Sequence, residues 1–198
     1  MQHMNKIFLV IVGFILLMII IVFLLLSGGG DDKKKPVVTG PTVMSLPNYA
    51  KTGATVSSTQ QGRIKGDEIY REIRVTIGRE SRVVQIIQGY NGQVIDSKTY
   101  PNNEEAYRVF LKSINGLGFM SSYKTKTPLP ADERGYCPLG LRYIFELEQG
   151  NDSLTRHWAS SCGQKVGTFG GSTSSLLTLF RNQIPTKDYS EITRNVDL

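Results

Sequence analysis

From Ile7 to Leu26 the chain runs twenty residues without a charge, IFLVIVGFILLMIIIVFLLL. At a rise of about 1.5 Å per residue such a helix is about 30 Å long, which matches the hydrocarbon thickness of a bilayer. A helix packed into a water-soluble core keeps polar residues on its outer face, and this run has none. Gly13 is no obstacle, because membrane helices tolerate glycine. A cleavable signal peptide has a shorter apolar stretch, about 7–15 residues, followed by small residues of the kind that Ser27, Gly28 and Gly29 supply. The length favours an uncleaved single-pass anchor at residues 7–26, preceded by a short tail, residues 1–6. The lysine count favours the other orientation. Lys33, Lys34 and Lys35 follow the run and Lys6 alone precedes it, so the positive-inside rule slightly favours a cytoplasmic domain.

Residues 27–62, SGGGDDKKKPVVTGPTVMSLPNYAKTGATVSSTQQG, are rich in Gly, Pro, Ser and Thr and hold no periodic apolar pattern. They read as a linker with a reach of about 30 Å. Residues 63–198 suffice for one domain with one core. In EIYREIRVTIG, Ile69, Ile73, Val75 and Ile77 fall on one face of an extended chain, so a strand is expected, with RVVQIIQ as its partner. Asn91-Gly92 predicts a type I′ hairpin turn before the next strand. PNNEEAYRVFLKSINGLG then switches to a helical period, with Ala106, Phe110 and Ile114 on one stripe and Tyr107 and Leu111 beside it. Asn102 is its expected cap and Asn115-Gly116 its end. LRYIFELEQ and SLTRHWASS flank a GND turn as a second hairpin, and STSSLLTLFRNQI forms a second helix that Pro185 stops. The expected fold is α+β: an N-terminal transmembrane helix, then a small domain of mostly antiparallel β-hairpins with two helices packed on one face.

RHWASSCG, residues 156–163, carries one of the two cysteines and one of the two histidines. A Cys/His nucleophile needs its base within hydrogen-bond reach. His157 and Cys162 are separated by an odd number of residues, which on one strand points them to opposite faces. Zinc spacing such as C-x-x-C is absent, and no metal or cofactor is expected. Cys137 and Cys162, by contrast, lie at matching depth on the two arms of the second hairpin, where a disulfide can bridge them. Disulfides persist in oxidising compartments, which opposes the lysine count and places the domain outside the cytoplasm.

GTFGGSTSS leads into the second helix, and its Gly170, Gly171 and Ser172 could offer backbone N–H groups to an anion. It lacks the lysine of a P-loop. Arg71 and Arg74 sit on the first hairpin as further anion or partner contacts, facing opposite ways. Lys6 is the one basic residue before the linker, so the surplus of positive charge is modest and interrupted by Glu68, Glu72 and Glu80. That density does not fit a nucleic-acid surface. Asp132 and Glu133 are adjacent and diverge on an extended chain, so they make no acid/base pair. The sequence therefore points to a single-pass, membrane-anchored binding or accessory domain without catalytic residues, whose partner is an envelope polymer or another protein. The alternatives are a small hydrolase or thiol enzyme using His157 with Cys162 or Ser160, and a peptidase inhibitor presenting the loop 126–138.

Overall fold

In the computed structural model of the chain, residues 16–18, 44–124, 130, 132–163 and 167–198 are described. The chain divides into two compact units, Met1–Gly40 and Pro41–Leu198. In the first, Leu16, Leu17 and Met18 are helical. The rest of the expected 7–26 anchor lies outside the described residues, and among those described no helix is long and apolar enough to cross a membrane.

The second unit is an α+β domain. It opens with a 3-10 turn, Leu46–Lys51, followed by β1 (Thr55–Gln61), β2 (Arg71–Ile77), β3 (Ser81–Gln88) and β4 (Gln93–Pro101). Helix α1 (Glu104–Gly116) comes next, then the hairpin β5 (Arg142–Gln149) and β6 (Asp152–Ser160), and last α2 (Thr173–Arg181) and α3 (Thr186–Thr193). The six strands form one sheet in the order β4-β3-β2-β1-β5-β6, with every neighbouring pair antiparallel.

One face of this sheet is the core side. Ile73, Val75 and Ile77 of β2 point there with Val56, Phe145 and Leu147, and all are buried against Leu111, Ile114, Leu176 and Phe180 of the helices. Phe180 meets Phe110 edge to face at 5.1 Å, an arrangement that the ring quadrupoles favour. Tyr107 is enclosed by the same cluster and donates its hydroxyl to the Ala54 carbonyl at 3.0 Å, so the phenol is not buried without a partner.

The expected strands and both expected helices are present, with Ile69 exposed in the turn before β2 and not on its buried face, and four further details differ. The stretch read as linker up to residue 62 contributes the 3-10 turn and β1, the central strand. TVSSTQQ shows no apolar alternation because Ser57, Ser58 and Thr59 are buried by their small size between larger neighbours. The second expected helix ends at Arg181, short of Pro185, and Pro185 occupies the N-cap position of a third helix, α3, that the sequence reading does not include. The cap of α1 is Asn103, whose side chain accepts from Ala106 N at 2.9 Å, while Asn102 donates instead to the Gly78 carbonyl. The β3–β4 connection is four residues long with positive φ at Gly89 and Gly92. Asn91 is not in the left-handed region, so the turn is not type I′.

Candidate functional site

The opposite face of the sheet carries charge. Side-chain alternation places Glu72 and Arg74 of β2 there with Thr59 and Gln61 of β1, Arg142 and Glu146 of β5, and Arg156 and Trp158 of β6. Towards the β5–β6 end a loop comprising Pro130 and residues 132–140 folds over this face. Its Pro130 carbonyl accepts from Trp158 Nε1 at 2.9 Å, and the Tyr136 ring lies 5.3 Å from the indole. Trp158 is thereby fully buried on the side of the sheet that the helices do not cover.

The loop is pinned by the bond between Cys137 and Cys162, whose Cα atoms are 5.7 Å apart. The expected pairing is present, but the ladder does not set the two cysteines opposite each other. Arg142 pairs with Ser160 and Tyr143 with Ala159, a register whose extension puts Gly140 against Cys162. Cys137 reaches across by a turn in which Gly140 N donates to its carbonyl and its own φ is +50°. A Cβ on Gly140 would stand 2.5 Å from Cys137 Sγ and 2.6 Å from Ser161 Oγ. Position 140 therefore has room for hydrogen only.

Between this loop and the β1–β2 connection lies a cleft of about 300 Å³, lined by Gln61, Ile64, Tyr70, Glu72, Tyr90, Glu133, Arg134, Gly135 and Arg142. Arg142 forms its floor and is 3% exposed. Its guanidinium donates to Gln61 Oε1 at 3.1 Å, to the Tyr136 and Cys137 carbonyls at 3.3 Å each, and to the Gly62 carbonyl. Four of the five N–H donors of the guanidinium are thus engaged. Tyr70 donates its hydroxyl to Glu72 Oε1 at 3.0 Å. Its phenol is held well above the usual range by burial and by the Glu72 carboxylate. Glu72 is itself pushed up by burial; the Tyr70 hydroxyl and the nearby Arg74 charge oppose that rise, and Glu133 adds to it.

Glu133 is 3% exposed and accepts from Arg156 Nη2 at 2.6 Å, while Arg156 Nε reaches Glu146 Oε1 at 3.1 Å. Burial raises the pKa of Glu146. Asp132 points the other way and pairs with Arg134 at the surface, a contact that draws its carboxyl down to about 2. The two adjacent acids diverge as their spacing implies. Tyr90 stacks on Tyr70 with ring centres 4.2 Å apart. Tyr70 is 2% exposed, so it backs one face of Tyr90, which is 55% exposed and stands at the cleft mouth.

The residues singled out in the sequence are dispersed. The 167–172 loop packs on the helix side, where Gly170 N and Ser172 N donate to the Ser121 and Leu117 carbonyls. A Cβ at Gly170 or Gly171 would strike backbone oxygens at 2.7 Å and 2.6 Å, so these glycines permit close packing, and with Phe169 N on the Trp158 carbonyl three of the loop's amides are already occupied. Arg74 lies on the opposite face, donating to Thr59 Oγ1. Arg71 folds back onto the Glu68 and Tyr70 carbonyls at the end of β2.

His157 faces the core opposite Phe145, and burial lowers its pKa. Ser160 belongs to the other face, and Cys162 is bonded to Cys137. Of the loop 126–138, residues 126–129 and 131 lie outside the described residues. Among the described residues no group of three or more His, Cys, Asp or Glu side chains is placed to hold a metal ion.

The sequence reading missed the cleft, because its walls come from three separated segments and its aromatic members from strand ends and a turn. No family model, no curated protein and no solved structure matches this chain.

Proposed function

We propose that the chain is a membrane-anchored binding or accessory domain, tethered by residues 7–26 with the Pro41–Leu198 unit displayed outside the cytoplasm. The observation that carries this reading is the Cys137–Cys162 bond, a pairing that persists where thiols are not continually reduced. The bond holds in place the loop that walls the cleft, so an oxidising environment is what keeps the cleft formed. The role is non-catalytic: the side chains lining the cleft are engaged mainly with one another, as a preformed recognition surface requires. The partner is an envelope polymer or another envelope protein, not a nucleic acid.

The test is thiol labelling of intact cells expressing the full chain with a membrane-impermeant maleimide, before and after reduction, read by mass at Cys137 and Cys162. Labelling that requires reduction but not lysis supports an external, clamped domain. Labelling that requires lysis places the domain in the cytoplasm and overturns the reading.

A further inference from the structure

The cleft beside the loop shows which ligand chemistry it fits. Arg142, on its floor, is largely committed within the protein, with four of its donors engaged by Gln61 and three backbone carbonyls. Arg134 is held by Asp132. The carboxylates of Glu72 and Glu133 line the walls, so an anionic ligand would meet negative charge beside cations already engaged elsewhere. A cationic ligand fares little better, because the buried Arg142 lies beneath those carboxylates and Arg156 already neutralises Glu133 at 2.6 Å. The site offers hydrogen-bond acceptors in near charge balance, together with the open face of the Tyr90 ring, rigidly backed by Tyr70.

A ligand that matches is neutral, rich in hydroxyl donors, and flat and apolar on one side. That is the chemistry of a sugar ring, whose C–H face stacks on an aromatic plane while its hydroxyls donate to carboxylates. We propose that the cleft between the β1–β2 connection and the disulfide-pinned loop binds a neutral pyranose unit, stacked on Tyr90 and hydrogen-bonded to Glu72 and Glu133. The volume of about 300 Å³ is at the small end of ligand clefts and suits a ring or two, not a long buried chain. This inference rests on the reading of the chain as a binding domain and names the ligand class that the domain would take.

The experiment uses the full chain in a zwitterionic, sugar-free detergent. Binding is measured against neutral hexoses, N-acetylhexosamines and their trisaccharides, with spermidine and a lysine-rich peptide as cationic probes. The expected result is saturable binding of at least one neutral sugar, weakened tenfold or more by Tyr90→Ala and by Glu133→Gln. Tyr90→Phe, which keeps the ring, should bind within about threefold of the parent, and Lys98→Ala, whose amine is engaged by Asp188 and Glu191, should bind like the parent. Equal affinity for monosaccharide and trisaccharide identifies a free sugar as the ligand; a clear gain with the trisaccharide identifies a polymer.

Absence of sugar binding at 10 mM overturns the proposal, as does binding that survives Tyr90→Ala or binding of the cationic probes alone. Should Glu133→Gln fail to fold, the contrast between Tyr90→Ala and Tyr90→Phe still decides. A chain that labels outside the cell yet binds no sugar sinks this inference and leaves the proposed location standing.

Discussion

Removing the Cys137–Cys162 bond is the perturbation whose size is best defined by the structure. The bond closes a loop with a sequence separation of 25, for which the chain-entropy relation gives about 3.5 kcal/mol of stabilisation at 25 °C. For a domain of this size each kcal/mol moves Tm by about 2–4 °C, so Cys162→Ser should lower it by about 7–14 °C. Cys137→Ser should do the same, and so should reduction of the parent chain. The double variant should be no worse than either single one, because there is only one crosslink to lose. Position 137 adds an internal control. Its φ of +50° costs a residue with a side chain about 1 kcal/mol relative to glycine, so Cys137→Gly should be more stable than Cys137→Ser by about that amount.

The assay is thermal unfolding followed by near-ultraviolet circular dichroism and by tryptophan fluorescence. Trp158 lies under the pinned loop, against Tyr136 and the Pro130 carbonyl, so its emission should shift to the red when the loop loosens. Single effects that add in the double variant, or a Tm indifferent to reductant, would refute the reasoning.

Other outcomes follow from the same geometry. Gly140→Ala forces a methyl group into the space of Cys137 Sγ and Ser161 Oγ; it should cost about 2–3 kcal/mol and leave titratable free thiols after purification. Asn103→Ala removes the cap on Ala106 N and should cost about 1 kcal/mol in urea unfolding. Arg142→Met takes the donor from Gln61 Oε1 and from the Gly62 and Tyr136 carbonyls and leaves the Cys137 carbonyl only Gly140 N; it should cost about 3 kcal/mol or more, with loss of the loop's protection in hydrogen exchange.

Burial raises the folded-state pKa of Glu72, against the opposing influence of the Tyr70 hydroxyl, Arg74 and Gln61 and with reinforcement from Glu133. Its contribution to stability is therefore present in acid and lost as pH rises through the folded value. Urea midpoints from pH 4 to 8 should show Glu72→Gln gaining on the parent as pH rises, and a difference independent of pH would count against the assignment.

Much of the fold was legible because periodicity survives in the strands that have only one apolar face. Ile73, Val75 and Ile77 alternate with Glu72, Arg74 and Thr76, and β2 was read from that pattern alone. β1 was not legible. A strand at the centre of a sheet can be buried by small polar residues, and TVSSTQQ looks like a linker until its neighbours are known. The disulfide was found from turn position, although the local turn at Cys137–Gly140, and not the ladder, brings the sulfurs together. The cleft was invisible because Gln61, Glu72, Glu133 and Arg142 are scattered along the chain and no local motif joins them. Ile69, assigned to the buried face of β2, is exposed in the turn before the strand. Tyr70 keeps to the face of Glu72, as alternation expects, but it is buried there among the residues of the cleft, which no local pattern signals.

The central position of β1 also governs how the domain can assemble. Its outer neighbour β5 pairs Gln61 with Arg142, residues separated by 81 positions. The β1–β4 meander can form from local contacts as it is synthesised, and so can the β5–β6 hairpin. Until they meet, the middle strand of the finished sheet is an open edge, competent to pair with any extended segment that arrives first. Closing that gap is a long-range, entropically slow event, so the rate at which the domain matures is set by a strand that carries almost no hydrophobic signal of its own.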